Sequence, residues 1–143
     1  MKLPSISIIF GVLATACTPT AEPVNFGQDA CTHCKMTIVD EQFAAEVVTR
    51  KGKVFKFDAI ECMLEFLKIK QSDQMALTLV RDYENPHEWQ DATHCNYLIS
   101  KEVPSPMGVG LSAWLSKENA EAMQAAKGGK IYKWQELNQH FSN

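Results

Sequence analysis

Two stretches of the chain carry the same succession of patterns, strand, strand, helix, strand, and that repetition restricts the fold more than any single motif does. In the first stretch, Phe43 to Arg50 and Val54 to Asp58 are β-prone runs separated by Lys51-Gly52-Lys53, which has hairpin-turn chemistry, so antiparallel pairing is predicted. From Ala59 to Lys70, Ile60, Met63, Leu64 and Leu67 follow the 3, 4, 7 spacing of an amphipathic helix, and Cys62 and Phe66 widen its apolar face. Asp58 stands where an N-cap is expected. Ala76 to Val80 completes the unit as a strand.

In the second stretch, Asn96 to Ser100 and Val109 to Leu115 read as strands, Ser116 to Lys127 as a helix and Lys130 to Trp134 as a strand. Ser116, with Glu118 and Asn119, supplies capping chemistry, and Gly128-Gly129 stops the helix. Gln135 to Phe141 adds a final helical turn or two. The expected fold is therefore α+β, built of two small β-β-α-β units. Unit one covers about 26–82 and unit two about 92–143, with the polar, turn-rich segment 83–91 as connection.

The N-terminus reads as an export signal over residues 1–16, with Lys2 at the start, an apolar run from Ile6 to Val12, and Ala14-Thr15-Ala16 before Cys17. The apolar run is far shorter than the roughly 20 residues a spanning helix needs. A cysteine at that junction, followed by TPTAEP, reads as a lipidated first residue of the mature chain, with 17–25 as a flexible tether. Simple cleavage beside an incidental cysteine is the competing reading, since Ala14 stands where lipoprotein signals usually carry Leu. A net charge of −3 with interspersed signs offers no basic patch for phosphates, which argues against nucleic acid as a partner.

Four further cysteines remain: Cys31, Cys34, Cys62 and Cys95. In CTHCKMTIVD, Cys31, His33, Cys34 and Met36 fall within six residues, and a cluster of thiolate with thioether favours Cu(I) over harder divalent ions. On extended backbone, Cys34 and Met36 would project to one face and form a minimal clamp. One thiolate and two thioethers would leave a Cu(I) site neutral and open to ligand exchange, as a delivery protein requires. Met107, between Pro106 and Gly108, is a candidate third arm. Cys31 is open to three readings, a second thiolate ligand, a disulfide partner of Cys34, or a buried residue; His33 is either exposed or completes the site. Cys62, Met63 and Cys95 are most simply core, and His87 and His140 surface.

The anchor cysteine, the C-x-x-C-x-M cluster, KFDAIECMLEFL and PMGVGLSAWLSKENAEAMQAAKGGKIYKWQEL together resemble the NosL family of copper-binding lipoproteins, associated with nitrous oxide reductase maturation. The resemblance runs from about Asp29 to Leu137. It implies Cu(I) held by Cys34, Met36 and Met107, a fold related to the organomercurial lyase without its activity, and a monomeric, non-enzymatic chaperone facing the periplasm. It further implies a membrane anchor, an upstream copper donor and a copper-accepting enzyme, nitrous oxide reductase. This chain departs from the family in Lys35, where Gly is common. Two other classes compete: a thiol-disulfide oxidoreductase using Cys31 and Cys34, and a zinc-stabilised module using Cys31, His33, Cys34 and Cys62, which would leave Met36 and Met107 idle.

Overall fold

β1 (Ala45–Thr49) and β2 (Val54–Phe57) form the expected antiparallel hairpin, with Ala45 opposite Phe57 and Val48 opposite Val54. The coordinates are a computed structural model in which residues 18–70 and 74–142 are described, so the export signal and Cys17 lie outside the described residues. α1 (Ile60–Ile69) follows, and β3 (Met75–Arg81) returns to pair antiparallel with the free side of β1. β4 (Trp89–Asp91) then adds to β3, giving the sheet order β2-β1-β3-β4.

The second sheet repeats the scheme. β5 (Asn96–Ile99) lies between β6 (Leu111–Trp114) and β7 (Lys130–Lys133), all antiparallel, with α2 (Lys117–Lys127) between β6 and β7 in sequence. The orders β2-β1-β3 and β6-β5-β7 are the same topology, so the two-unit repeat exists in the strand pairing. Ser116 caps α2 through Asn119 N at 3.2 Å, and Gly128 ends it at φ 69°, as their sequence predicts.

Three details differ from the sequence reading. Phe43 leaves the strand for a 3₁₀ turn, Glu41–Phe43, capped by Asp40, and its buried ring meets Tyr83 edge-on at 5.7 Å. Residues 89–91, inside the segment read as connection, become β4; the Arg81 guanidinium sits 3.9 Å from the Trp89 ring centroid, holding that short strand in place. Trp134 begins α3 (Trp134–Ser142) instead of ending the preceding strand.

α1 is positioned by its apolar face. Ile60, Met63, Leu64 and Phe66 are buried, and the Phe66 ring lies 4.7 Å from Phe55 and 5.2 Å from Phe57. Burial of each such side chain is worth about 1.5–3 kcal/mol, enough to fix the helix against β1 and β2. One continuous core joins these residues to Tyr97, Leu111, Tyr132 and Leu137 of the second unit, so the start of α1 is held between both units.

Glu46 is wholly buried on β1, where Oε1 accepts from Glu22 N at 2.9 Å and Oε2 has no partner. Burial pushes its carboxyl up from the ordinary range. Above the ordinary range the folded chain thus keeps a proton that the unfolded chain has lost. The resulting stability is present below the unfolded value and declines as pH rises through the folded one. Glu46→Gln, which retains the acceptor for Glu22 N, is expected to remove that decline. Urea unfolding at pH 5 and pH 8 checks this, and an equal decline in parent and variant would count against it.

Candidate metal centre

The segment carrying the first two cysteines is a tight reverse turn. Ala30 bridges Thr37 antiparallel, Cys31 N donates to Met36 O at 2.8 Å, and Lys35 N to Cys31 O at 3.1 Å. Lys35 closes the turn at φ 68°, a left-handed conformation unusual for a residue with a Cβ. Cys34 and Met36 are therefore carried on a tight turn and not on extended backbone, which corrects the sequence argument. The turn is fastened to β2 by Thr32 N donating to Lys56 O at 2.8 Å, and upstream by Lys56 Nζ, 2.9 Å from Asp29 Oδ2 and 2.7 Å from Pro23 O.

Folding the turn onto β2 sets it beside the start of α1. The result is a group of four donors, Cys31 Sγ, Cys34 Sγ, one Asp58 carboxylate oxygen and Cys62 Sγ, all within 4.8 Å of one another. Cys34 Sγ donates to Asp58 Oδ1 at 3.4 Å, while Asp58 Oδ2 is buried without a hydrogen-bond partner. Asp58 is not the helix cap predicted for it: the N-cap position is Ala59, with no side-chain cap, and the Asp58 carboxylate is used by the thiol group instead. Cys62 is core by burial, as expected, and its sulfur belongs to this group as well.

Asp58 is the member that sequence reasoning passes over as a ligand, while Cys62 is weighed as one only for zinc and otherwise read as core. Asp58 lies before α1, with Ala59 extended between them, so helical spacing gives no signal for the pair Asp58 and Cys62. His33 is exposed and outside the group, and Cys95 is buried elsewhere, its Sγ 3.5 Å from Asp91 O and its thiol pushed up to about 12 by burial.

The three thiols are electrostatically unequal. A hydrogen bond from Cys62 pulls the Cys31 thiol down to about 6, and that same bond holds the proton on Cys62 and pushes it up. Burial raises Cys34. Within the bonded pair of Cys31 and Cys62, Cys31 is the readier of the two to give up its proton. The Cys31–Cys34 turn does not open a helix, since a left-handed residue and a β-bridge follow Cys34, so the strand-to-helix setting of a thiol-disulfide oxidoreductase is not formed.

Above the thiols lies an open cleft of about 340 Å³ lined by Met36, Val39, Asp40, Asp58, Pro104 and Pro106 among others. Met107 follows Pro106 directly and is 41 % exposed, while Met36 is 55 % exposed. The turn that carries Met107 is pinned at Ser105, whose hydroxyl donates to Glu61 Oε1 at 3.1 Å and accepts from Gly110 N at 2.9 Å. Glu61 is itself buried on α1, which raises its carboxyl. Met36 therefore lines one cleft with Asp58, the carboxylate bonded to Cys34, and the segment Pro104 to Pro106 that leads into Met107 lines it too.

A two-sheet α+β protein with soft donors where its two units meet is a candidate metal carrier. Residues 23–142 match the profile of the NosL family, and the chain belongs to that family. A copper-binding lipoprotein NosL of Stutzerimonas stutzeri is 27 % identical over 127 residues, spanning 82 % of this chain and 67 % of that protein. The crystal structure of the copper chaperone NosL from Shewanella denitrificans shares the fold, with a TM-score of 0.72 at 21 % identity over 83 % of this chain and 96 % of that one. Neither relative is described as an enzyme.

Proposed function

We propose that this chain is an exported Cu(I) carrier that takes its ion at the mouth of the cleft through Cys34, Met36 and Met107 and passes it on by ligand exchange. The observation that supports this most is the shared cleft. Met36 and the segment leading into Met107 line the same cleft as Asp58, the carboxylate that accepts from Cys34. One thiolate and two thioethers neutralise Cu(I) without excess charge, and thioethers carry no proton, so the ion can leave without a coupled protonation at either methionine.

In this reading the chain is anchored through a lipid on Cys17 and faces the periplasm. Among the described residues no helix is long and apolar enough to cross a membrane. An upstream donor supplies the copper, and the acceptor is a copper enzyme outside the cytoplasm, nitrous oxide reductase. Exposed methionines suit both exchanges, since an incoming ligand reaches the ion without unfolding anything.

Met107→Leu preserves size and apolarity and removes only the thioether. It is expected to weaken Cu(I) binding by about 10- to 100-fold, or about 1.4–2.7 kcal/mol, in anaerobic titration against a competing chelator. Unchanged affinity would overturn the three-ligand site. Copper content of the reductase, produced with and without this chain, tests the acceptor separately.

A further inference from the structure

Resting on that carrier reading, we propose that Cys31 and Cys62 form a second, inner seat for the same ion, with Cys34 as the ligand common to both seats. Thioethers do not take part in the inner seat. The outer one would be the tighter and the one used in exchange, and the inner one would keep the ion within the chain when the outer ligands are given up.

Three observations carry this. The first is spacing: all four donor atoms lie within 4.8 Å of one another. Two sulfurs about 2.3 Å from a shared ion stand about 3.8 Å apart in a tetrahedral site and about 4.6 Å apart across a linear one. The cluster therefore needs little movement to close on an ion. The second is an orphaned acceptor. Asp58 is 2 % exposed and its Oδ2 has no partner, and among the described residues no ion pair involves Asp58. A buried oxygen left in this state costs about 1–3 kcal/mol, and an ion seated among the adjacent sulfurs would supply the missing partner by taking that oxygen as a further ligand. The third is connectivity. Cys34 is only half-buried and Asp58 lines the cleft, whereas Cys31 and Cys62 are 0 % and 1 % exposed, so Cys34 is the bridge from cleft to interior.

The transfer between seats involves no change of oxidation state. Cu(I) gives up its bonds to the Met36 and Met107 sulfurs and gains bonds to Cys31 and Cys62 as thiolates. Any proton still on those thiols passes to solvent through the cleft, and return to the mouth takes the protons back. Retention and release then become two positions of one ion, separated by the reach of the Cys34 side chain.

The test uses the full chain, with Cu(I) supplied anaerobically against a chelator and the sulfur ligands counted by X-ray absorption. The Met36→Leu/Met107→Leu double variant is expected to keep one Cu(I) on sulfur ligands alone. Adding Cys31→Ser or Cys62→Ser is expected to weaken that binding by at least about 100-fold, beyond the 10–100-fold typical of a lost supporting contact. Because Cys62 is in the core, thermal melts of each apoprotein separate lost binding from lost folding. The inner seat is overturned if the double variant binds no copper, if the added serine changes nothing, or if copper-loaded chain isolated anaerobically carries a Cys31–Cys62 disulfide. Failure of the parent to bind Cu(I) would instead end the carrier reading. Thiolate-to-metal absorption with Cd(II), lost in Cys31→Ser, would then still support the inner seat, and its persistence in that variant would overturn it.

Discussion

Cys34→Ser is expected to lower Cu(I) affinity by at least about 1,000-fold, or about 4 kcal/mol, the largest binding loss of any single substitution in the chain. Serine keeps a hydroxyl that can donate to Asp58 Oδ1, the bond now made by Cys34 Sγ at 3.4 Å, so the turn should hold its shape. What is removed is the soft donor, and a neutral hydroxyl is a poor ligand for Cu(I). The residue is half-buried and outside the densest packing, so the melting temperature should stay within a few degrees of the parent. Anaerobic competition titration with a parallel thermal melt checks both halves. An affinity within tenfold of the parent would show that the copper is held elsewhere.

Gly110→Ala is expected to produce the largest loss of stability. Gly110 has φ +77°, and a Cβ there would stand 1.8 Å from Ser100 O and 2.9 Å from Val103 O. Both obstacles are backbone atoms of the turn that closes over the cleft, so no side-chain rotation relieves them. Gly110 N also donates to Ser105 Oγ at 2.9 Å, and Ser100 N donates to Gly110 O at 3.1 Å, so moving the residue releases the pins of the Met107 turn. A loss of about 4 kcal/mol follows from strain plus broken bonds, which for a domain of this size lowers the melting temperature by about 12–16 °C. Gly108→Ala is the control: its φ is similar, +75°, but its Cβ meets nothing within 4 Å. About 1 kcal/mol is expected there, the cost of the left-handed conformation alone. Urea unfolding of both variants measures the difference, and equal losses would refute the steric account.

The repeat was legible because each unit's strands and helix carry their own hydrophobic period, and local period is what a sequence displays. The boundaries that failed were decided by distant partners. Phe43 is β-prone but is drawn into the core beside Tyr83, and β4 exists because Arg81 lies over Trp89. Neither pairing has a local signature.

The metal centre divides along the same line. Cys34, Met36 and the turn at Met107 stand out chemically, since thioethers next to Pro, Gly or Cys are unusual core residues. Asp58 and Cys62 look ordinary, one as a helix cap and the other as part of an apolar stripe. Only the fold of the β1–β2 hairpin, which lays the Cys31–Cys34 turn against β2, brings Cys31 within 4.8 Å of Cys62. A residue can be core by burial and ligand by the direction of one atom, and periodicity reports only burial.

The central claim, that this chain is a soft-metal carrier built for Cu(I), is tested most directly by loading the full chain anaerobically with one equivalent of Cu(I) and challenging it with excess Zn(II). The donor set of thiolate and thioether predicts that copper stays bound and zinc remains free. Displacement of the copper by zinc would contradict the account.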